Sequence, residues 1–284
     1  LLPRDVISER QATERGQLFG WTSEDRVREV GSMEEGVATL ALNRPERRNA
    51  ITTVMLAELI YALERCRDDP AVRAVVIRGE GKGFCPGDEL RGMGELPKGF
   101  AYTPEGLLSH AGLQSTLRAL PKPVIAEIHG FAFGVGLDVA MACDFRIAAD
   151  DARLQDQRVM DRGMHAVTGC AWFQPRALGL TRAMEFLILG EPMSGAEAAT
   201  CGMVTRSVPG DELTGAVAAI AERLAAAPTK AIGLMKRQIL EGQHMTHAEF
   251  MNFAAPLIHE IEIKDRAEGI AAFLEKRPPR FTGE

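Results

Sequence analysis

Apolar runs of strand length, each followed by a glycine- or proline-broken turn and then an apolar stripe of helical period, recur through the first two-thirds of the chain. Residues 27–30 and 37–42 read as two strands around a turn at 31–36. Thr52 or Thr53 can cap a helix whose Leu56, Leu59, Ile60 and Leu63 share one face, ending at Asp68-Asp69-Pro70. Residues 74–77 form a buried-strand run, and a glycine-rich turn then leads to a helix start around Leu90. Residues 91–105 read as a long loop, and 107–120 as a helix closed by Pro121 and Pro123. The most densely patterned stretch is 123–149. Val124, Ile125 and Ile128 predict a strand, Gly130, Gly134 and Gly136 break it, 137–142 form a short apolar helix, and 145–149 resume a strand. Further on, 181–189 read as a helix. Ser194-Gly195-Ala196-Glu197 is a capping box for a short helix closed by Gly202, and 204–208 is a strand. Helices at 211–226, 229–241, 246–264 and 265–276 complete the chain. The pattern predicts an α/β protein in three parts: a polar N-terminal extension at 1–26, a core at 27–210 and a helical region at 211–284.

Composition narrows the function. With 284 residues, 46% hydrophobic and 25% charged, the chain can bury a large core. A net charge of −6 argues against a nucleic-acid partner, which would call for a basic face. No apolar run has the length to span a bilayer, so no membrane association is expected. The five cysteines, Cys66, Cys85, Cys143, Cys170 and Cys201, are scattered without metal-ligand spacing. They fit a reducing, cytoplasmic compartment and no metal site. Asp5, Glu9 and Glu14 count against a transit peptide at the N-terminus. Internal repeats and a dinucleotide-binding fingerprint are absent from the sequence.

The chemistry concentrates in the glycine turns after residues 77 and 128. A glycine turn that opens a helix leaves backbone N–H groups without intrahelical acceptors, at the positive end of the helix dipole. Such groups can hold an anion or a developing oxyanion. Asp138 falls in the first turn of the second helix. Two such turns facing each other can each place an N–H on one carbonyl oxygen.

The residues of these turns, Gly83-Phe84-Cys85-Pro86-Gly87-Asp88-Glu89-Leu90 and Ile128-His129-Gly130-Phe131-Ala132-Phe133-Gly134-Val135-Gly136-Leu137-Asp138, resemble the two signatures of the enoyl-CoA hydratase/isomerase (crotonase) family. Leu42-Asn43-Arg44-Pro45, Arg48-Asn49-Ala50 and the ending from Glu268 to Pro278 match as well. The resemblance implies a crotonase-like spiral of ββα units with a C-terminal helical trimerisation region. It further implies an acyl-CoA substrate, with coenzyme A present as part of that substrate and no permanently bound cofactor. The assembly it implies is a homotrimer or a dimer of trimers. Counting along the motifs puts the two oxyanion donors at the backbone N–H groups of Asp88 and Val135. Arg47, Arg48, Phe273 and Lys276 fall at positions expected to contact coenzyme A, the last two from an adjacent protomer.

The acid/base positions depart from the family pattern. Asp138 stands where hydratases have their first glutamate, one methylene longer, and Arg158 stands where they have the second. Arginine cannot serve as a base. Asp156, Asp161 and His165 lie in the same altered wall and are further candidates. A carboxylate at Asp88 beside an enolate is unfavourable unless it points away, and Asp88 or Glu89 can instead cap the following helix. Asp138 and Arg158 can be a working base and its modulator, or a structural ion pair. Three readings follow: a hydratase or isomerase using Asp138, a hydrolase of cyclic β-dicarbonyl compounds on the same fold, or a non-catalytic paralogue.

Overall fold

A computed structural model of the chain describes residues 27–29, 36–90, 110–166, 168–260 and 262–284. The N-terminal extension, the loop expected at 91–105 and Ile261 lie outside the described residues. Val27–Glu29 (β1) pairs antiparallel with Val37–Leu42 (β2). Thr53–Asp68 (α1) follows, capped by the Thr52 hydroxyl, which accepts from Met55 N. Its Leu56, Leu59, Ile60 and Leu63 are buried, as their spacing predicts. Ala74–Gly79 (β3) pairs parallel with β2. His110–Ala119 (α2) precedes Val124–Ile128 (β4), which is buried along its whole length.

Phe131–Phe133 (β5) leads into Val135–Ala142 (α3), a helix with every residue buried, and then into Phe145–Ala149 (β6). Arg153–Gln155 (β7), Val159–Arg162 (α4), Cys170–Leu178 (α5) and Leu180–Met184 (α6) come next. Met193–Ser194 (β8), Gly195–Thr200 (α7) and Arg206–Val208 (β9) complete the strands. The capping box at Ser194 and Glu197 is formed in both directions. The helices Leu213–Ala225 (α8), Thr229–Gly242 (α9), His247–Glu260 (α10) and Asp265–Glu275 (α11) follow.

The main sheet has the order β1-β2-β3-β4-β6-β9 and is parallel from β2 to β9. Parallel strands need cover on both faces, which explains the apolar runs that open β3 and β4. The helix α8 packs against β2, β3, β4, β6 and β9, so the first of the C-terminal helices belongs to the core. A second, three-stranded sheet, β5-β7-β8, is absent from the expectation. Its strands run two or three residues each, too short to show a period of two. The helix expected at 181–189 is α6 followed by a π-helical turn at Glu185–Leu189, which buries Phe186. Residues up to Leu90 show no helix start.

Buried charges tie the tail to the core. Lys236 Nζ, on α9, donates to Asp144 Oδ2 at 2.8 Å and to the Leu117 carbonyl at 2.9 Å. Arg73 donates to the carbonyls of Ala227 and Phe281 and to the Thr229 hydroxyl, and Asp265 accepts from the Thr282 and Gly283 N–H groups. Outward from this anchorage, Met235, Ile239, Ile258, Ile270, Phe273 and Leu274 stand exposed, Phe273 at 83%. Among the described residues no helix is long and apolar enough to cross a membrane.

Candidate active site

The two glycine turns lie against each other. Asn49, fully buried, donates its amide to the Glu80 and Gly83 carbonyls at 2.8 and 2.9 Å and fixes the first turn. Cys85 bridges to Ala132, and Phe133 N donates to Cys85 O at 2.9 Å, joining the first turn to the second. Gly136 is required by this approach: a Cβ there would lie 2.4 Å from Cys85 O. Gly87, at φ +99°, faces the start of α3, where a Cβ would come within 3.4 Å of Val135 N. The Cys85 thiol, pushed up to about 12 by burial, serves as a brace, accepting from Gly87 N.

Both expected oxyanion donors are at this junction. Val135 opens α3, so its N–H has no intrahelical acceptor. Gly87 O accepts from Ile51 N, and Glu89 N donates to Ile51 O. Successive N–H groups of an extended segment point to opposite edges, which turns the Asp88 N–H away from Ile51. Among the described residues neither the Asp88 nor the Val135 N–H has a protein acceptor. The Asp88 carboxylate is held by His110 Nε2, 2.8 Å from Oδ1, and Glu89 faces Arg44 at 3.7 Å. The capping expected of Asp88 or Glu89 falls on residues outside the described ones.

Asp138, fully buried, sits one turn into α3, and its N–H closes the helix onto Gly134 O. Its Oδ2 accepts from Arg158 Nη1 at 2.9 Å and from the Thr168 hydroxyl, while Oδ1 has no hydrogen-bond partner among the described residues. The Arg158 side chain is divided between two carboxylates. Nε reaches both oxygens of Asp156, at 2.9 and 3.1 Å, Nη2 donates to its Oδ2, and the Arg158 N–H donates to its Oδ1 at 3.0 Å. Asp156 is therefore the principal counter-ion.

Burial drives the Asp138 carboxyl above the ordinary carboxylate range, against the pull of Arg158 and the Thr168 hydrogen bond. Burial also works against the Arg158 charge, but its hydrogen bonds to Asp156 and its attraction to Asp138 hold its pKa above the ordinary arginine value. Arg158 thus stays charged, and Asp138 is the carboxyl of the two that burial makes harder to ionise. The Cys170 thiol, pushed up to about 12 first by burial and then by Asp138, stays protonated.

Of the candidates read from the sequence, the structure brings together Val135 with the Gly87–Asp88 turn, and Asp138 with Arg158 and Asp156. Asp161 and His165 are exposed and take no part in the network. Arg47 and Arg48 are exposed on the turn after β2, and Phe273 and Lys276 are exposed at the end of α11. The sequence reading missed His110 and Thr168. Each touches a candidate 22 or 30 positions away, a distance at which no local pattern signals contact. A cavity of about 950 Å³, lined by Arg73, Arg118, Lys230 and Arg237 among others, lies apart from this chemistry: neither Asp88 nor Asp138 lines it.

Comparison with known proteins gives a consistent answer. The profile of the family described as enoyl-CoA hydratase/isomerase matches residues 32–284. Human enoyl-CoA hydratase domain-containing protein 2, mitochondrial, is 34% identical over 268 residues, 92% of this chain and 91% of that protein. The 1,2-epoxyphenylacetyl-CoA isomerase of Escherichia coli is 34% identical over 266 residues, 90% of this chain and 98% of that protein. A crystal structure of enoyl-CoA hydratase from Mycobacterium smegmatis superposes with a TM-score of 0.80 at 30% identity, over 91% of this chain and 99% of that one.

Proposed function

Since the chain belongs to the enoyl-CoA hydratase/isomerase family, we propose that it binds an acyl-CoA thioester between the two glycine turns and moves a proton next to the thioester carbonyl. The carbonyl oxygen accepts the N–H groups of Asp88 and Val135, which stabilise the enolate formed when a proton leaves the α or γ carbon. Asp138 takes that proton and returns it to the other carbon. The reaction is a double-bond isomerisation, balanced without any co-reactant and without a separate cofactor.

The observation that carries this reading is the Asp138 carboxyl. It lies three residues after Val135 on one helix, so donor and proton carrier share a face and a rigid spacing. Among the described residues one of its oxygens has no partner, and burial raises its proton affinity, as a general acid/base requires. Water addition wants a second group to activate the water, and the position that would hold it carries a charged arginine. Asp156 offers no substitute, because both of its oxygens are taken by Arg158.

Coenzyme A would extend past Arg47 and Arg48 toward Phe273 and Lys276 of an adjacent protomer in a homotrimer or a dimer of trimers. The exposed Phe273 and the apolar positions around it support that assembly. The five free cysteines support a reducing, cytoplasmic setting.

The test is turnover of a 3-enoyl-CoA, of crotonyl-CoA and of a cyclic 1,3-diketone by the purified protein. The expected result is isomerisation, with hydration far slower. Cleavage of the diketone with no thioester turnover would overturn the reading.

A further inference from the structure

We propose that His110 is a positioning residue of the oxyanion site: it holds the Asp88 carboxylate turned away from the enolate that the Asp88 N–H stabilises. The inference rests on the reading of that N–H as an oxyanion donor. It concerns a side chain that the proton transfer itself does not use.

The argument begins with an apparent conflict. The residue whose N–H faces the developing oxygen carries a carboxylate, and a like charge there raises the energy of an enolate. A carboxylate swinging about its Cα–Cβ bond would also offer its own oxygens to its neighbours' N–H groups and occupy the hole. The structure prevents both. Asp88 Oδ1 is 2.8 Å from His110 Nε2, and the His110 side chain is buried to 8% exposure against 19% for Asp88.

The ring is held on a rigid element. His110 lies on α2, which packs on α1 and α3. One turn later on the same face, Gln114 abuts the wall that carries Thr168: a Cβ at Gly169 would lie 2.5 Å from Gln114 Oε1. The neighbouring acid is managed in the same way, Glu89 being drawn toward Arg44. Both carboxylates that follow Gly87 are thus engaged by a basic side chain from another element, and the Asp88 N–H is left to the substrate.

A double-mutant cycle tests this. The readouts are kcat and KM for 3-enoyl-CoA isomerisation, and the absorbance shift of 2,4-hexadienoyl-CoA on binding, which reports carbonyl polarisation without turnover. His110→Ala is expected to lower kcat by about 10²-fold, the scale of losing one oxyanion donor, with KM little changed and the absorbance shift reduced. In an Asp88→Ala background the same substitution should have little effect, because no carboxylate remains to be held. His110→Gln, which keeps an amide donor, should recover most of the rate and guards against misfolding of the alanine variant. Equal effects of His110→Ala in both backgrounds, or an unchanged absorbance shift in His110→Ala, would overturn the proposal while leaving the oxyanion site standing. A wild-type protein that binds the dienoyl thioester without any absorbance shift would overturn the oxyanion reading and the His110 role together.

Discussion

Arg158 meets Asp138 through a single nitrogen, Nη1 to Oδ2 at 2.9 Å, while its Nε and Nη2 are committed to Asp156. This asymmetry divides the labour of two buried carboxylates. Asp156 neutralises the arginine, and Asp138 keeps a raised proton affinity and, among the described residues, one oxygen without a partner.

Replacing Arg158 with glutamine leaves both carboxylates buried without a countercharge. Removing one member of a buried ion pair typically costs about 3–5 kcal/mol, and that loss is expected in denaturant unfolding at about pH 7. The sign of its pH dependence follows from linkage. In the wild type Arg158 pulls against the burial that raises the Asp138 pKa, so without it the variant's Asp138 binds its proton still more tightly, and the variant's deficit grows as pH rises through the carboxylate range. The deficit of Arg158→Gln should therefore shrink at about pH 4. A deficit that is the same at both pH values would contradict the assignment.

Restoring a glutamate at 158 alone would bring a third carboxylate to Asp138 and Asp156, and the single variant should be poorly stable. Asp156→Asn combined with Arg158→Glu removes one of those charges. The double variant is expected to gain crotonyl-CoA hydration over wild type while keeping isomerisation, measured by loss of the enoyl-thioester absorbance.

Gly87→Ala tests the approach of the two turns. Its positive φ costs an L-residue about 1–3 kcal/mol, and its Cβ would stand 3.2 Å from Phe133 O and 3.4 Å from Val135 N. The expected outcome is a kcat lower by about 10²–10³-fold, with the thioester dissociation constant changed far less. A wild-type kcat would place the oxyanion donors elsewhere.

The exposed end of α11 predicts assembly and ligand contact together. Light scattering should return a trimer or hexamer at micromolar protein. Lys276→Ala should weaken coenzyme A binding about tenfold, or roughly 1.4 kcal/mol. A monomer with unchanged affinity in Lys276→Ala and Arg48→Ala would contradict both expectations.

What the sequence revealed follows the length over which a physical pattern extends. The strands β3, β4 and β6 show as apolar runs because a covered parallel sheet demands them, and α1 shows because a half-buried helix repeats over sixteen residues. The sheet β5-β7-β8 has no such run, since its two- and three-residue strands are fixed by neighbours such as Cys85 rather than by their own composition. At the site, Gly87, Val135 and Asp138 were legible because the turn chemistry is local. The partners that decide how these residues behave, His110 for Asp88 and Thr168 and Asp156 around Arg158, meet only through tertiary packing. The sequence left Asp138 and Arg158 open between a base with its modulator and a structural pair. The geometry adds that Arg158 has a second, better counter-ion.

The central claim, that Asp138 moves a proton to and from a thioester enolate, is tested most directly by hydrogen exchange at the carbon next to the carbonyl. A saturated acyl-CoA incubated in deuterium oxide is followed by nuclear magnetic resonance with wild type and with Asp138→Asn, which keeps the shape of the side chain. The account predicts exchange by the wild type and a rate lower by about 10²–10⁴-fold in the folded variant, with thioester binding retained. Exchange by Asp138→Asn at the wild-type rate would contradict it.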